Sequence, residues 1–243
     1  MGTKRQAAEN EDAVRPDTHT TAPPLLEVSG LVKRYSNNGP TILDCIDLHI
    51  ASGEFVAIMG RSGSGKSTLL NLIGQMDAPD AGRITFAGHD FSVVNEEART
   101  LFRREHLGFV FQAYNLLPTL TVRENIALPL QLNELAREPR ISQLLVQLDL
   151  DAVSERYPDA ISGGEQQRTA IARAVAHRPS LVIADEPTGN LDVDTAAAVM
   201  RLFEHAVRST GAALLMATHS RTMARHADRA LHLERGRLRP ADE

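Results

Sequence analysis

Gly60-Arg-Ser-Gly-Ser-Gly-Lys-Ser67 is the stretch of sequence that decides the fold. It fits the phosphate-binding pattern G-x-x-x-x-G-K-[ST] at every position. That pattern requires a buried strand before it and a helix after it. The apolar run Phe55–Met59 and the helical pattern of residues 67–75 meet both requirements. A dinucleotide fingerprint is excluded, because Thr68 stands where G-x-G-x-x-G, aligned from Gly63, needs glycine.

The loop has the chemistry that a nucleotide phosphate needs. Glycines let successive backbone N–H groups approach the phosphate, and the helix N-terminus adds positive dipole. We expect Lys66 to reach the β- and γ-phosphates and the Ser67 hydroxyl to hold Mg²⁺. The residues of this segment that we expect to bind the nucleotide are Gly60, Arg61, Ser62, Gly63, Ser64, Gly65, Lys66, Ser67 and Thr68.

A pair of carboxylates follows another apolar strand. Residues Leu181–Ala184 are apolar, and Asp185 and Glu186 come directly after them. Adjacent carboxylates repel each other, and a buried strand end is a costly place for them unless a cation neutralises them. We expect Asp185 to hold Mg²⁺ and Glu186 to orient and polarise an attacking water. A solvated acidic pair is the alternative, which the nearby phosphate loop disfavours.

A second anion site is predicted at Ile161-Ser-Gly-Gly-Glu-Gln-Gln-Arg168. Ser162 and two glycines open a helix with an apolar face, and its exposed N-terminus attracts negative charge. A plain capped helix would also explain this segment on its own. Two separate phosphate-binding elements in one chain indicate that a nucleotide is held between two copies, head to tail.

On these segments the chain resembles the ATP-binding subunits of ABC transporters, whose signature is Leu-Ser-Gly-Gly-Gln. The chain departs from that signature at Ile161 and Glu165 and keeps Ser162, Gly163 and Gly164. The resemblance extends along residues 25–240. It implies that ATP and Mg²⁺ are bound and that ATP is hydrolysed.

The resemblance also assigns residue roles. Tyr35 would stack on adenine, and Gln112 would contact Mg²⁺ and water and signal to the membrane partner. Asp192 would lie in a loop that crosses the dimer interface, and His219 would contact the γ-phosphate. The implied catalytic residues are Glu186, His219, Lys66 and Gln112; the implied metal ligands are Ser67, Gln112 and Asp185; and the residues implied to bind the nucleotide of the second copy are Ser162, Gly163, Gly164 and Asp192.

Two longer segments extend the resemblance to a particular subfamily. They are Glu186-Pro-Thr-Gly-Asn-Leu-Asp192 and Gln112-Ala-Tyr-Asn-Leu-Leu-Pro-Thr-Leu-Thr-Val-Arg-Glu-Asn125. They resemble the subfamily that serves lipoprotein release, macrolide or peptide export, and cell division. The implied partners are a second copy of the chain and an integral-membrane permease of few transmembrane helices. The implied location is the cytoplasmic face of the inner or plasma membrane, where the chain would be bound through that permease.

The predicted fold class is α/β: a P-loop NTPase (RecA-like) core with a mostly parallel sheet, an N-terminal antiparallel β part and an inserted helical subdomain. We expect a disordered tail over residues 1–24, an ATP-binding domain over 25–243, and the helical subdomain at about 113–164. The predicted strands are 41–50, 55–59, 107–111, 181–184 and 213–217, with a hairpin that turns at Arg235-Gly236. The predicted helices are 67–75, 96–106, 141–149, 165–177 and 194–209.

Composition sets limits on the class of protein. The chain has 243 residues, of which 42% are hydrophobic and 23% charged, as in one ordinary globular unit. Cys45 is the only cysteine, which excludes an internal disulfide and favours a reducing compartment. The longest apolar run of the sequence, Ala212–Ala217, has six residues, far from the roughly 18 that cross a bilayer, and the first 24 residues are too polar for a secretory signal.

Three other functions remain to be weighed. An ATPase module that regulates a cell-division or cell-wall partner without transport shares every nucleotide motif and stays open. A soluble ATPase that acts on DNA or ribosomes is disfavoured by the net charge of −5, and no nucleic-acid partner is expected. A GTPase is excluded, because the sequence contains no Asn-Lys-x-Asp.

Overall fold

A computed structural model describes residues 23–36, 39–91, 94–136 and 138–241. Except for residues 23 and 24, the predicted tail lies outside the described residues. The strands are β1 (Leu26–Lys33), β2 (Leu43–Ile50), β3 (Phe55–Met59), β4 (Ala81–Phe86), β5 (His89–Asp90), β6 (Leu107–Phe111), β7 (Leu181–Asp185), β8 (Ala213–Thr218), β9 (Arg229–Glu234) and β10 (Arg237–Pro240). The helices are α1 (Lys66–Ile73), α2 (Glu96–His106), α3 (Val122–Leu132), α4 (Arg140–Gln147), α5 (Gly163–Val175), α6 (Val193–Thr210) and α7 (Arg221–Ala224).

The central sheet has six strands in the order β10-β9-β3-β8-β7-β6. All neighbours in it are parallel except β9 and β10, which form the predicted hairpin. Arg235 and Gly236 both have positive φ, 48° and 76°, as a two-residue turn between twisted strands requires. The prediction of a mostly parallel sheet is confirmed. Its strands β3, β6, β7 and β8 end at one edge, where α/β folds bind ligands.

A second sheet has the order β2-β1-β4-β5 and is antiparallel throughout, which confirms the predicted antiparallel part. Its strands β1, β4 and β5 were not predicted individually. In β1 the pairing register shifts after Val28 and again after Leu31, so the apolar alternation is interrupted. In β4 the first three residues, Ala81, Gly82 and Arg83, are exposed. Neither strand therefore has the continuous apolar run that marks β3.

Two apolar clusters cover the two faces of the central sheet. One joins the central sheet, α1 and the antiparallel sheet, with Leu26, Ile58 and Leu69 among its fully buried members. The other joins the opposite face of the central sheet to α3, α4, α5 and α6. Burying both faces of a parallel sheet explains why its strands are apolar at nearly every position.

Residues 113–164 contain α3, α4 and two 3₁₀ turns, Asp151–Val153 and Pro158–Ala160, with no strand in their described part. Their buried side chains belong to the same cluster as those of α5 and α6. The boundaries of an inserted subdomain remain a prediction. No helix within the described ranges is both long and apolar enough to cross a membrane.

Helix ends differ from the predicted ones by a few residues. Helix α2 has the predicted bounds, whereas α1 stops at Ile73, two residues early, and α4 stops at Gln147. Gln75 and Asp149 have positive φ, 57° and 52°, which is incompatible with a continuing right-handed helix. Helix α5 starts at Gly163, because the Ser162 side chain caps it.

Candidate nucleotide-binding site

A cleft of about 650 Å³ opens at the carboxyl edge of the central sheet. Its lining residues are Tyr35, Ile42, Ser62, Gly63, Gly65, Lys66, Ser67, Thr68, Gln112, Asp185, Glu186 and His219. Every one of them except Ile42 is predicted above as a site residue. Three loop residues predicted to bind nucleotide, Gly60, Arg61 and Ser64, do not line the cleft. The fold thus brings side chains from distant parts of the sequence to one place.

The phosphate loop is held by close backbone packing. A Cβ atom at Gly60 would lie 2.7 Å from the Leu233 carbonyl oxygen, so this position has no room for a side chain. Gly65 precedes α1 with φ 101°, a conformation that side chains disfavour. The fold therefore requires glycine at two of the positions predicted to bind nucleotide, Gly60 and Gly65, whether or not nucleotide is bound.

Lys66 is a buried cation with little charge compensation. Its side chain is 8% exposed, and Nζ donates to the carbonyl oxygens of Gly60 at 2.9 Å and Arg61 at 3.3 Å. Glu186 Oε1 lies 3.8 Å from Nζ. A buried ammonium is costly unless paired, so a phosphate anion in the cleft would fit this environment.

Hydroxyl groups surround the same end of the cleft. Ser67 and Thr68 belong to the first turn of α1, whose free N–H groups suit an anion. Ser64, which does not line the cleft, has a buried Oγ without a hydrogen-bond partner among the described residues. The Tyr35 hydroxyl lies 3.3 Å from Thr68 Oγ1, and Tyr35 is 64% exposed, so its ring is accessible at the mouth of the cleft. These features fit a nucleoside triphosphate.

The predicted acidic pair lies opposite the loop. Asp185 ends β7, and Glu186 has a left-handed backbone, φ 47°. Glu186 Oε2 lies 2.9 Å from His219 Nδ1 and accepts the His219 backbone N–H at 3.3 Å. The Glu186 carboxylate is therefore held between Lys66 and His219, at the surface of the cleft.

The three predicted Mg²⁺ ligands line one cleft. Ser67 follows the loop lysine, Asp185 ends β7 and Gln112 follows β6. Hydroxyl, carboxylate and amide oxygens are the ligands that Mg²⁺ prefers. The donor set fits Mg²⁺. Sequence reasoning assigned no role to Asn190, whose side chain forms hydrogen bonds with Gln112.

The signature segment lies elsewhere, at the N-terminus of α5. Ser162 Oγ accepts the Glu165 N–H at 3.3 Å, and Glu165 Oε2 accepts the Ser162 N–H and hydroxyl, both at 2.7 Å. The hydrogen bond from the Ser162 side chain is the largest cause that lowers the pKa of Glu165 below its ordinary value. Glu165, a departure from the family signature, thus completes a capping box.

The N-termini of α5 and α6 lie side by side. A Cβ atom at Gly164 would be 2.9 Å from Thr195 Cγ2, and one at Gly163 would be 3.7 Å from Leu191 Cδ2. Asp192 Oδ1 caps α6 by accepting the Thr195 N–H at 3.0 Å. None of the predicted residues Ser162, Gly163, Gly164 and Asp192 lines the cleft.

Two further polar residues escaped sequence reasoning. Arg173 donates to the carbonyl oxygens of Tyr114 at 3.0 Å and Asn115 at 2.7 Å. Asn125 is fully buried and donates to the carbonyl oxygens of Leu117, Leu120 and Thr121. Both side chains hold the segment that follows Gln112. For Asn125, the sequence did contain a signal: an asparagine among the apolar residues of a helix is expected to form hydrogen bonds when it is buried.

The phosphate loop, the parallel sheet and the carboxylate at the end of the adjoining strand define the chain as a P-loop nucleoside triphosphatase. Residues 43–189 match the ABC transporter family, and the chain belongs to that family. The prediction of an ATP-binding and ATP-hydrolysing ABC subunit is confirmed.

Relatives cover nearly the whole chain. An uncharacterized ABC transporter ATP-binding protein of Mycobacterium tuberculosis (strain ATCC 25618 / H37Rv) is 47% identical over 90% of this chain and 90% of its own length. The lipoprotein-releasing system ATP-binding protein LolD of Chromohalobacter salexigens is 41% identical over 88% of this chain and 92% of its own length.

Solved structures agree with the fold. MJ0796, described as a bacterial ABC transporter cassette in a dimeric structure, has a TM-score of 0.80 and 35% identity, and covers 90% of this chain and 99% of its own. A second dimeric MJ0796 structure, in a post-hydrolysis state bound to ADP and Pi, has a TM-score of 0.79 and 34% identity with the same coverage.

Proposed function

We propose that two copies of this chain hydrolyse ATP in shared sites, head to tail, and so drive a membrane permease of the lipoprotein-release or export type. One observation supports the shared site above the others. The sequence predicts two phosphate-binding elements, and the residues of the second, Ser162, Gly163 and Gly164, do not line the cleft of the same chain. The N-terminus of α5 is then available to the nucleotide of another copy.

Within the cleft, each residue has a role that its position supports. Lys66 neutralises the β- and γ-phosphates, and Tyr35 stacks on the adenine ring. Glu186 orients the attacking water and accepts its proton, while His219 holds the Glu186 carboxylate and contacts the γ-phosphate. Ser162, Gly163 and Gly164 of the second copy, with its Asp192, close the site from the other side. Catalysis is positioning and charge stabilisation.

Ser67, Gln112 and Asp185 would hold Mg²⁺. When bound, the ion neutralises charge that develops on the phosphate oxygens. Asp185 supplies the negative charge of the set, whereas Ser67 and Gln112 supply neutral oxygens.

A groove of about 320 Å³ between α2, β6, α3 and α5 is where we propose that the permease binds. Its apolar wall includes Phe109, Leu117 and Leu132, and Leu117 and Leu132 are 41% and 52% exposed. Exposed apolar side chains in a concave surface are typical of a protein contact. The groove contains Phe111 and Asn115, on either side of Gln112, so a partner bound here would respond to nucleotide in the cleft.

The permease type rests on the relatives. LolD proteins are named as parts of lipoprotein-releasing systems, and the one from Chromohalobacter salexigens matches 88% of this chain. We propose the same class of permease here, one with few transmembrane helices. The chain would then lie on the cytoplasmic face of the inner or plasma membrane, bound through that permease.

The experiment is a pull-down of tagged full-length Glu186→Gln protein from native membranes with MgATP. The expected partner is a four-helix permease with a large domain outside the cytoplasm. Adding Leu132→Asp should remove that partner, because a charge in the apolar groove must be desolvated on binding. A many-helix permease would contradict the subfamily, and recovery of no membrane protein would contradict the transport function.

A further inference from the structure

Gln112 and Asn190 are joined by two reciprocal hydrogen bonds. Gln112 Nε2 donates to Asn190 Oδ1 at 3.0 Å, and Asn190 Nδ2 donates to the backbone carbonyl oxygen of Gln112 at 2.8 Å. Gln112 directly follows β6, and Asn190 lies in the loop between β7 and α6. The pair therefore joins the loops that follow two neighbouring strands of the central sheet.

These two hydrogen bonds determine the orientation of both side-chain amides. A backbone carbonyl only accepts hydrogen bonds, so the Asn190 Nδ2 group must face the Gln112 carbonyl. Asn190 Oδ1 then faces the Gln112 side chain, and an oxygen there can only accept. Gln112 must therefore present Nε2 to Asn190, which leaves Gln112 Oε1 free to bind a cation.

The same amide lies close to the backbone of Gly189. A Cβ atom at Gly189 would lie 3.0 Å from Gln112 Nε2, which is tighter than an ordinary contact. Gln112 and Asn190 are both exposed, and an unrestrained glutamine side chain in water samples many rotamers. The bonds to Asn190 remove much of that freedom before any ligand arrives.

We propose that Asn190 is a positioning residue that presents the Gln112 side-chain oxygen to the Mg²⁺ of bound nucleotide. The inference rests on the proposed role of Gln112 as a Mg²⁺ ligand. It adds that this role depends on a second side chain, which acts only through Gln112. Asn190→Ala would leave the Gln112 amide free to rotate or to turn its nitrogen toward the cation.

The test measures ATP binding by calorimetry, in Glu186→Gln protein, with EDTA and across a Mg²⁺ titration. Asn190→Ala should raise the Mg²⁺ concentration at which the gain in ATP affinity is half-maximal about three- to tenfold, as expected for one lost hydrogen bond. It should leave the affinity for Mg²⁺-free ATP within about twofold. Asn95→Ala is the matched control: it removes an amide that caps α2 and should not shift the Mg²⁺ dependence.

Measurements in Gln112→Ala protein separate the role of Asn190 from the role of Gln112 as a Mg²⁺ ligand. There Asn190→Ala should cause no additional shift, since its target is gone. The role of Asn190 alone would be overturned if Asn190→Ala shifted the Mg²⁺ dependence equally with and without Gln112. It would also be overturned if Gln112→Ala shifted the Mg²⁺ dependence and Asn190→Ala, with Gln112 present, did not. Unchanged Mg²⁺ dependence in Gln112→Ala would overturn the metal role of Gln112, and this inference with it.

Discussion

Glu186 has a left-handed backbone at the end of β7, and its carboxylate lies between the Lys66 ammonium and the His219 ring. The backbone N–H of Glu186 donates to the Ala217 carbonyl oxygen at 3.0 Å, which fastens the turn to β8. Uncommon backbone conformations persist where the surroundings enforce them, and they are frequent at active sites. At the residue scale, an unfavourable backbone conformation is thus kept at Glu186, where it fixes the position of one carboxylate.

Glu186→Gln should lose ATP turnover by at least about 100-fold, because an amide does not accept the proton of the attacking water. Binding of MgATP should persist, since Lys66 and the loop are unchanged. Phosphate release and calorimetric ATP binding measure the two effects separately. Lys66→Ala is the contrasting variant and should lose binding as well. Undiminished phosphate release from Glu186→Gln would remove Glu186 from its assigned role.

Sequence alone identified the residues with strong local patterns and missed those that act through distant backbone. Lys66 and Glu186 belong to compact segments whose spacing follows from the chemistry. Asn190 bonds to a residue 78 positions away, and Arg173 to carbonyl oxygens 58 and 59 positions away. No pattern of residue types predicts such pairs, because any polar side chain could meet a free carbonyl.

Helix α5 shows how an element combines stability with the site. Its N-terminus carries Ser162 and Glu165 in a capping box, and its C-terminal half packs on β6. Sequence predicted this helix and the buried strands, because their apolar patterns are long and regular. It missed β1 and β4, where register shifts and exposed residues obscure the alternation.

Glu165→Ala should destabilise the chain by about 0.5–2 kcal/mol at pH 7, since two capping hydrogen bonds are lost. The folded pKa of Glu165 is lowered, so its ionised form stabilises the fold above the ordinary carboxyl pKa. That contribution is lost as pH falls through the lowered folded pKa. Urea unfolding at pH 7 and at about pH 3 should show the cost of Glu165→Ala shrinking in acid.

The control for this helix is Glu165→Gln, whose amide oxygen can still accept from Ser162. It should cost less than Glu165→Ala at pH 7. Because glutamine does not titrate either, the cost of Glu165→Gln should shrink in acid by the same amount as that of Glu165→Ala. Equal costs for Glu165→Ala at both pH values would show that the carboxylate charge does not stabilise α5.

Gly108→Ala should destabilise the contact between β6 and α5 severely. A Cβ atom there would lie 2.2 Å from the Ala174 carbonyl oxygen, and backbone atoms cannot rotate away as a side chain can. We expect a loss of about 3 kcal/mol in the free energy of unfolding, at the upper end for overpacking. Val146→Ala, at a 65% exposed position, should change it by less than about 0.5 kcal/mol. A stable Gly108→Ala protein would contradict this packing.

At the scale of the whole molecule, the chain has a cleft on one part of its surface and the paired N-termini of α5 and α6 on another. In a twofold dimer, a contact between one copy's cleft and the other copy's α5 occurs twice. Sequence predicted this arrangement from two phosphate-binding segments in one chain. It could not identify the groove beside Gln112, because that surface is assembled from four separate elements.

The mass of the Glu186→Gln protein in solution, measured by light scattering with and without MgATP, tests the shared site most directly. We predict 26.5 kDa without nucleotide and about twice that mass with MgATP, since ATP that is bound but not hydrolysed keeps the two copies together. Adding Ser162→Arg, which would crowd the N-terminus of α5, should restore the single-chain mass while ATP still binds. A mass of 26.5 kDa for Glu186→Gln at saturating MgATP would contradict a site completed by a second copy.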